Sequence, residues 1–437
     1  MNSLKIDLTS EADRVGQEMY QLVERLYPLC RSITGDGVRE TLKTLKNSIP
    51  LNICEVPSGT AVFDWTIPKE WNIRSAWIKN DRGEKVVDFQ DCNLHVLSYS
   101  IPIHCKLSLT ELKQHLYTIP SHPDWIPYRT SYYKENWGFC LSHEQYTQLQ
   151  EGEYEVYIDS SLEDGSLTYG EYYLPGETKD EILISCHICH PSLCNDNLSG
   201  ITIASFLAKS LKEQSRRYSY RFLFVPGTIG AIAWLALNES KVSQIKHGLV
   251  LTCLGDSGSF TYKKSRRGNA EIDRAVEYVL QQSGQAHEIV EFSPYGYDER
   301  QYCSPGFNLA VGCFMRSPHG TFPEYHTSAD NLDFITPEQL GDSWIQCRSI
   351  LQVLEGNRRY INQNPKCEPQ LGKRGLYEPI GGHLADETYR MAMLWVLNLS
   401  DGTHSLLQIA RRSRMPFDAI ARAVELLSEK GLLVEAE

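Results

Sequence analysis

The stretch SCHICHPSLCNDNLSG, residues 185–200, constrains this chain more than any other, because it crowds metal-binding side chains between an apolar run and a helix start. The run Glu181–Cys186 is short, apolar and partly β-branched, the pattern of a strand buried on both faces, so His187 is predicted at a strand's carboxyl end. Open α/β sheets bind their ligands there. Asp196 and Asn197 stand just before the apolar-periodic run Leu198–Leu211, and the turn into that helix would hold Asp196 over the strand ends. Two further clusters repeat the arrangement. HGLVLTCLGD ends a strand on Asp256, and PEYHTSADN places His326 behind the strand-like run Leu309–Phe314. His187, Asp196, Asp256 and His326 make a nitrogen and oxygen donor set suited to zinc or a similar divalent ion. A second reading stays open: Cys186, Cys189 and Cys194 interleave with His187 and His190 as in a structural Cys/His zinc site, although no second C-x-x-C or H-x-x-x-H pair closes one.

Strands and helices alternate from Glu181 to about Tyr360, which predicts an α/β fold with a mostly parallel sheet flanked by helices. Two amino-terminal helices, Ser10–Tyr27 and Val38–Asn47, would pack on that sheet. From Phe63 to Tyr157 the texture changes to short β-like runs holding five of the eight Trp, an inserted β-rich domain. The segment Asn357–Gly382 reads as a linker. Beyond it come three helices, Asp386–Leu399, Ser405–Arg412 and Phe417–Lys430, then a short strand Leu432–Val434, resembling a winged helix. The expected division is residues 1–62 and 158–365 for the α/β domain, 63–157 for the insert and 380–437 for the winged helix.

A net charge of -12 argues against nucleic acid or an anionic membrane as the main partner. From Leu384 onward six Lys/Arg face eight Asp/Glu, so the helix-turn-helix segment lacks a basic face, and protein contact or homo-oligomerisation is the expected role. No apolar run approaches the roughly 20 residues that span a bilayer, and the start MNSLKIDLTSEADR lacks the basic and apolar regions of a signal peptide. A cytoplasmic protein is expected. Its 13 cysteines show no disulfide spacing and read mostly as small buried hydrophobes.

The order His187, D-N-x-S-G, Asp256 and Y-H-T-x-x-D-N resembles the co-catalytic zinc aminopeptidases of the bacterial leucyl aminopeptidase type, whose fold is shared with zinc carboxypeptidases and glutaminyl cyclases. The likeness is closer still to a bacterial aminopeptidase-like branch with an inserted β-rich domain and a carboxyl-terminal winged helix, carried by CRSITGDG, RTSYY, WGFC, CHPSLCNDNLSG and EYHTSADN. The resemblance implies a zinc hydrolase of small amide or peptide-like substrates, with Asp196 bridging two metals. It also exposes two departures. The aminopeptidases carry Asp two residues after the first His, whereas Cys189 follows His187 here, and His190 competes for the ligand role. They also carry a Glu pair after the next strand, and the closer branch would read P-E-T-I-G where this chain reads PGTIG. Gly227 thus replaces the expected carboxylate base, which implies one well-formed and one weakened metal site. Asp298, Glu299 and Glu324 are the candidates to stand in. The alternative is that Gly227 serves a tight turn with positive φ.

Arg129, Tyr132, Tyr133 and Trp137 of the insert are candidates to reach over the crevice and hold an anionic or carbonyl group. An aromatic core with a structural Arg remains the other reading. Slow turnover follows from the missing base, and the rival function is a catalytically impaired metal-binding protein that recognises a ligand or scaffolds partners through its winged helix.

Overall fold

The computed structural model describes residues 8–376 and 387–436. The expected winged-helix boundary at 380 and the helix start at Asp386 lie outside the described residues. The described chain forms two compact units, one of residues up to Asp273 with Gln285–Ile345, the other of Arg274–Gly284 with the residues from Gln346 onward.

The first unit is built on an eight-stranded sheet in the order Asn52–Pro57, Ser166–Leu174, Ser219–Val225, Glu181–His187, Ile245–Leu251, Val311–Met315, Phe260–Lys263, His287–Val290. Its four middle strands are mutually parallel, and antiparallel pairs flank them. The apolar runs predicted this: every residue of Glu181–His187, Ser219–Val225 and Val311–Met315 is buried, as strands covered on both faces must be. Helices Leu8–Leu26, Gly200–Lys212 and Ile229–Leu237 accompany the sheet. The chain leaves Glu181–His187 for the strand on one side and returns through Ile229–Leu237 to the strand on the other. The carboxyl end of Glu181–His187 is therefore where the strand order reverses, the place where sheets of this kind open a crevice.

The strand-rich segment forms a four-stranded antiparallel sheet, Lys85–Asp88, Glu70–Lys79, Glu153–Glu163 and Ile103–Ser108, whose last strand in sequence runs on to Glu163. Trp71 is anchored there by its indole N–H to the Ser100 carbonyl (2.9 Å).

In the second unit, helices Glu387–Leu399, Leu406–Ser413 and Phe417–Glu429 accompany a three-stranded sheet. Its middle strand, Arg359–Asn362, lies inside the segment read as a linker; polar residues hid it, and it forms because both Asp401–Ser405 and Leu433–Glu435 pair with it. Ser405 caps the second helix through a reciprocal bond pair with Gln408. No helix among the described residues is long and apolar enough to cross a membrane.

Candidate metal centre

His187 closes its strand with no exposed surface, and Nε2 lies 2.7 Å from Asp196 Oδ1. The other Asp196 oxygen accepts from Tyr297 Oη (2.8 Å) and faces His326 Nε2 (3.0 Å) and His190 Nε2 (3.9 Å). Ligand atoms of His187, His190 and Asp196 all lie within 4.8 Å of one another. Burial alone would raise the Asp196 carboxyl, but the charges of His190 and His187, with hydrogen bonds from His187 and His326, hold it well below the usual range. Burial pushes His190 well below its ordinary value, against the pull of the Asp196 carboxylate. Such imidazole and carboxylate donors suit a divalent ion. The sequence left His187 and His190 as rivals; the structure brings both to Asp196.

The turn that carries Asp196 is held from below. Backbone N–H groups of Cys194, Asn195 and Asp196 donate to the Asp330 carboxylate at 3.1, 2.6 and 2.9 Å. Burial pushes Asp330 up to about 8, with those three donors pulling the other way. Asn197 Nδ2 donates to the carbonyls of His187 and Leu251, tying the turn to two strands. Gly200 is required there, because a Cβ would stand 2.4 Å from the Leu251 carbonyl. The α-helix proper starts at Gly200, and before it Asp196 and Asn197 depart from helical angles in the turn that carries the carboxylate.

Asp256 is not part of this cluster. Its strand ends at Leu251, and the loop beyond delivers Asp256 to Asn195 Nδ2 (2.8 Å), Gly258 N (2.6 Å) and Ser317 Oγ (2.7 Å), so its oxygens brace the Asn195 turn. His190, rather than Asp256, stands with His187 and Asp196 in this cluster.

Two distant segments shape the remaining wall. Arg31 of CRSITGDG is buried and donates from Nε to the His190 carbonyl (2.8 Å) and from Nη1 to Leu26 (2.7 Å), which fixes the loop that returns His190 to the site. From the insert, Tyr128 N donates to the His326 carbonyl (2.7 Å), and its ring meets those of His190 and His326 edge-on. A cleft of about 280 Å³ opens in front, lined by Tyr132, Tyr133, His190, Gly227, Tyr325 and His326 among others.

Of the insert residues expected at the crevice, Tyr132 and Tyr133 line the cleft. Arg129 and Trp137 do not: Arg129 is exposed, and Trp137 stacks on His115 with ring centroids 3.7 Å apart. Glu324 is half-buried outside the lining, its carbonyl closing a turn to Thr327. Glu299 is buried against Lys263 Nζ (2.6 Å). Asp298 is fully buried with neither oxygen hydrogen-bonded, and burial raises its carboxyl well above the usual range. Gly227 is absent from the glycines with positive φ, so the tight-turn explanation fails. A Cβ at Gly227 would lie 3.0 Å from His187 Cβ and 3.6 Å from Asp298 Oδ1. The peptides Asp196–Asn197 and Gly227–Thr228 are cis. Sequence reasoning missed Tyr297, Asp330 and Tyr128, none of which lies beside its partner in the chain.

Residues 20–357 match a family described as "Domain of unknown function (DUF4910)", and residues 358–435 match a winged helix-turn-helix model. The chain belongs to the DUF4910 family. A Clostridium acetobutylicum protein described as "Putative polysaccharide biosynthesis protein with aminopeptidase-like domain" is 54% identical over 97% of both chains. A crystal structure of a "putative peptidase" from the same organism superposes with a TM-score of 0.94 at 52% identity, covering 98% of each chain. A zinc aminopeptidase from Bacillus subtilis matches 78% of this DUF4910 chain and 94% of its own at TM-score 0.57 and 12% identity, which establishes the shared fold.

Proposed function

We propose that the protein is a metal-dependent hydrolase of the aminopeptidase type, acting on an amide bond of a small or peptide-like substrate. The observation that carries this is the convergence of His187, His190 and Asp196, with His326 beside them, at the point where strand order reverses in an aminopeptidase fold. Zinc is the proposed ion, since imidazole and carboxylate donors suit it. Bound there, it supplies Lewis acidity toward a carbonyl oxygen. Tyr297 and His326 keep the second Asp196 oxygen oriented. With Gly227 in place and Asp256 engaged elsewhere, one ion is proposed.

Asp298 is the proposed proton acceptor. Its Oδ1 lies 3.6 Å from where a Cβ at Gly227 would stand, and its two oxygens have no hydrogen-bond partner among the described residues. Burial holds its proton, and a neighbouring cation would lower its pKa toward the working range. Zinc-loaded protein should hold about one equivalent by elemental analysis and cleave acyl or aminoacyl amides in a chelator-sensitive way. Asp298→Asn should slow cleavage by roughly 10²- to 10⁴-fold. Adding Gly227→Glu to that variant should restore part of the rate, because either position aims a carboxylate into the same space. Metal uptake without any turnover would instead support the impaired, ligand-recognising reading; no uptake at all would defeat both.

A further inference from the structure

The cleft wall carries two aromatic rings that the core leaves uncovered. Trp65 and Tyr133 are 47% and 53% exposed, with ring centroids 5.5 Å apart and planes tilted by 58°. Both line the cleft with His190 and His326. Apolar surface placed beside a polar crevice marks a ligand's contact face. An aromatic wall alone accepts any flat apolar surface.

The same lining contains Arg300. Among the described residues its guanidinium has no hydrogen-bond or ion-pair partner, and Nε is buried. The Asp298 oxygens are also unpartnered, so the two groups do not touch, although the Arg300 charge acts on Asp298. A buried N–H without a partner is unfavourable, and a guanidinium fork matches a carboxylate in two parallel bonds. The rest of the lining mixes the hydroxyl-bearing Tyr132, Tyr297, Tyr325 and Thr228 with the aliphatic Ile33, Ile229 and Ile232. Apolar and aromatic faces beside hydroxyls suit a ring that presents C–H faces and hydroxylated edges.

We propose that the cleft binds a sugar ring bearing a carboxylate, with Trp65 and Tyr133 against its C–H face and Arg300 paired with the carboxylate. Arg300, from the short helix Glu299–Tyr302 beyond the sheet's edge strand, thereby takes the anion-binding role that Arg129 was expected to play. The inference rests on the hydrolase reading only in placing the substrate's amide before His190 and His326; the ring and carboxylate contacts stand without it.

Calorimetric titration of the zinc-treated full chain with methyl β-glucuronide and methyl β-glucoside tests this. The glucuronide should bind at least about 10-fold more tightly than the neutral glucoside. Arg300→Gln should remove that preference, Arg300→Lys should keep part of it, and Trp65→Ala should weaken both sugars, each at unchanged melting temperature. Equal affinity for the two sugars, or a preference that survives Arg300→Gln, overturns the proposal. Amide hydrolysis without glucuronide preference would refute it and leave the hydrolase reading intact. Glucuronide preference in a protein that takes up no metal would uphold it and refute that reading.

Discussion

The two ends of the strand Glu181–His187 each bury a carboxylate among polar partners, and they do so to opposite effect. At the amino end, Glu181 is fully buried and receives Arg221 Nε and Nη2 at 2.7 Å each, a bidentate fork. The third guanidinium nitrogen reaches Glu171, which also accepts the Trp234 indole N–H (3.1 Å). Every charge there is answered by its neighbours. At the carboxyl end, three imidazoles crowd one Asp196 carboxylate, Asp298 has no hydrogen bond, and nitrogens of Arg31 and Arg300 are unpaired among the described residues. A buried group with unused bonding capacity is costly unless something else completes it. Satisfied polar burial therefore marks architecture, and unsatisfied polar burial at the reversal point of the sheet marks a site.

The largest effect should come from breaking the satisfied end. Glu181→Ala leaves Arg221 Nε and Nη2 without their carboxylate in the core, with Glu171 answering only the third nitrogen, and unfolding in denaturant should show a loss of up to about 3–5 kcal/mol. The two ends are separated by six strand steps, or about 20 Å. At that distance effects add, so zinc affinity of the folded variant should stay close to the parent's. A large drop in affinity alongside the stability loss would mean that the ends are one coupled network and the contrast fails.

A smaller effect sharpens the other end. Asp330→Asn removes one of the two carboxylate oxygens that receive the N–H groups of Cys194, Asn195 and Asp196, so the Asp196 turn loses its brace. Groups that orient a metal ligand typically contribute 10–100-fold in affinity. Competition titration with a zinc chelator should show a loss in that range, with a smaller change in melting temperature than Glu181→Ala. Unchanged affinity would show that the turn holds itself.

The strand and the turn beyond it were legible because burial on both faces writes a continuous apolar run, and because a D-N before an apolar periodic stretch marks a helix entrance; the Glu181–Arg221 pair was not read from the sequence. The resemblance supplied the order of His187, Asp196 and His326. What escaped was set by chain reversals that no local pattern records. His190 joins the site because Arg31, from the amino-terminal loop, clamps its carbonyl. Asp256 read as a ligand because a strand seemed to end on it, but the strand stops at Leu251 and the loop turns the carboxylate toward Ser317. Arg129 was the arginine read as facing the crevice; only the fold puts Arg300 at the cleft.

Gly227→Ala should produce the smallest effect and the finest test of the contrast. The glycine's backbone lies outside the left-handed region, so alanine fits without φ strain, and restricting the unfolded chain favours the variant by about 0.4–1 kcal/mol. Against this, the added Cβ would sit 3.0 Å from His187 Cβ, so His187 must yield by a few tenths of an ångström. The two terms are of similar size and opposite sign, so net stability should move by less than about 1 kcal/mol. The shift of His187 should still register as a modest fall in zinc affinity, since ligand geometry tolerates little displacement. A site with open valences can absorb such a shift, whereas a fully satisfied, close-packed network cannot. A stability loss comparable to that of Glu181→Ala would show that the carboxyl end is packed as rigidly as the amino end, and that its unpaired groups are not slack held for a ligand.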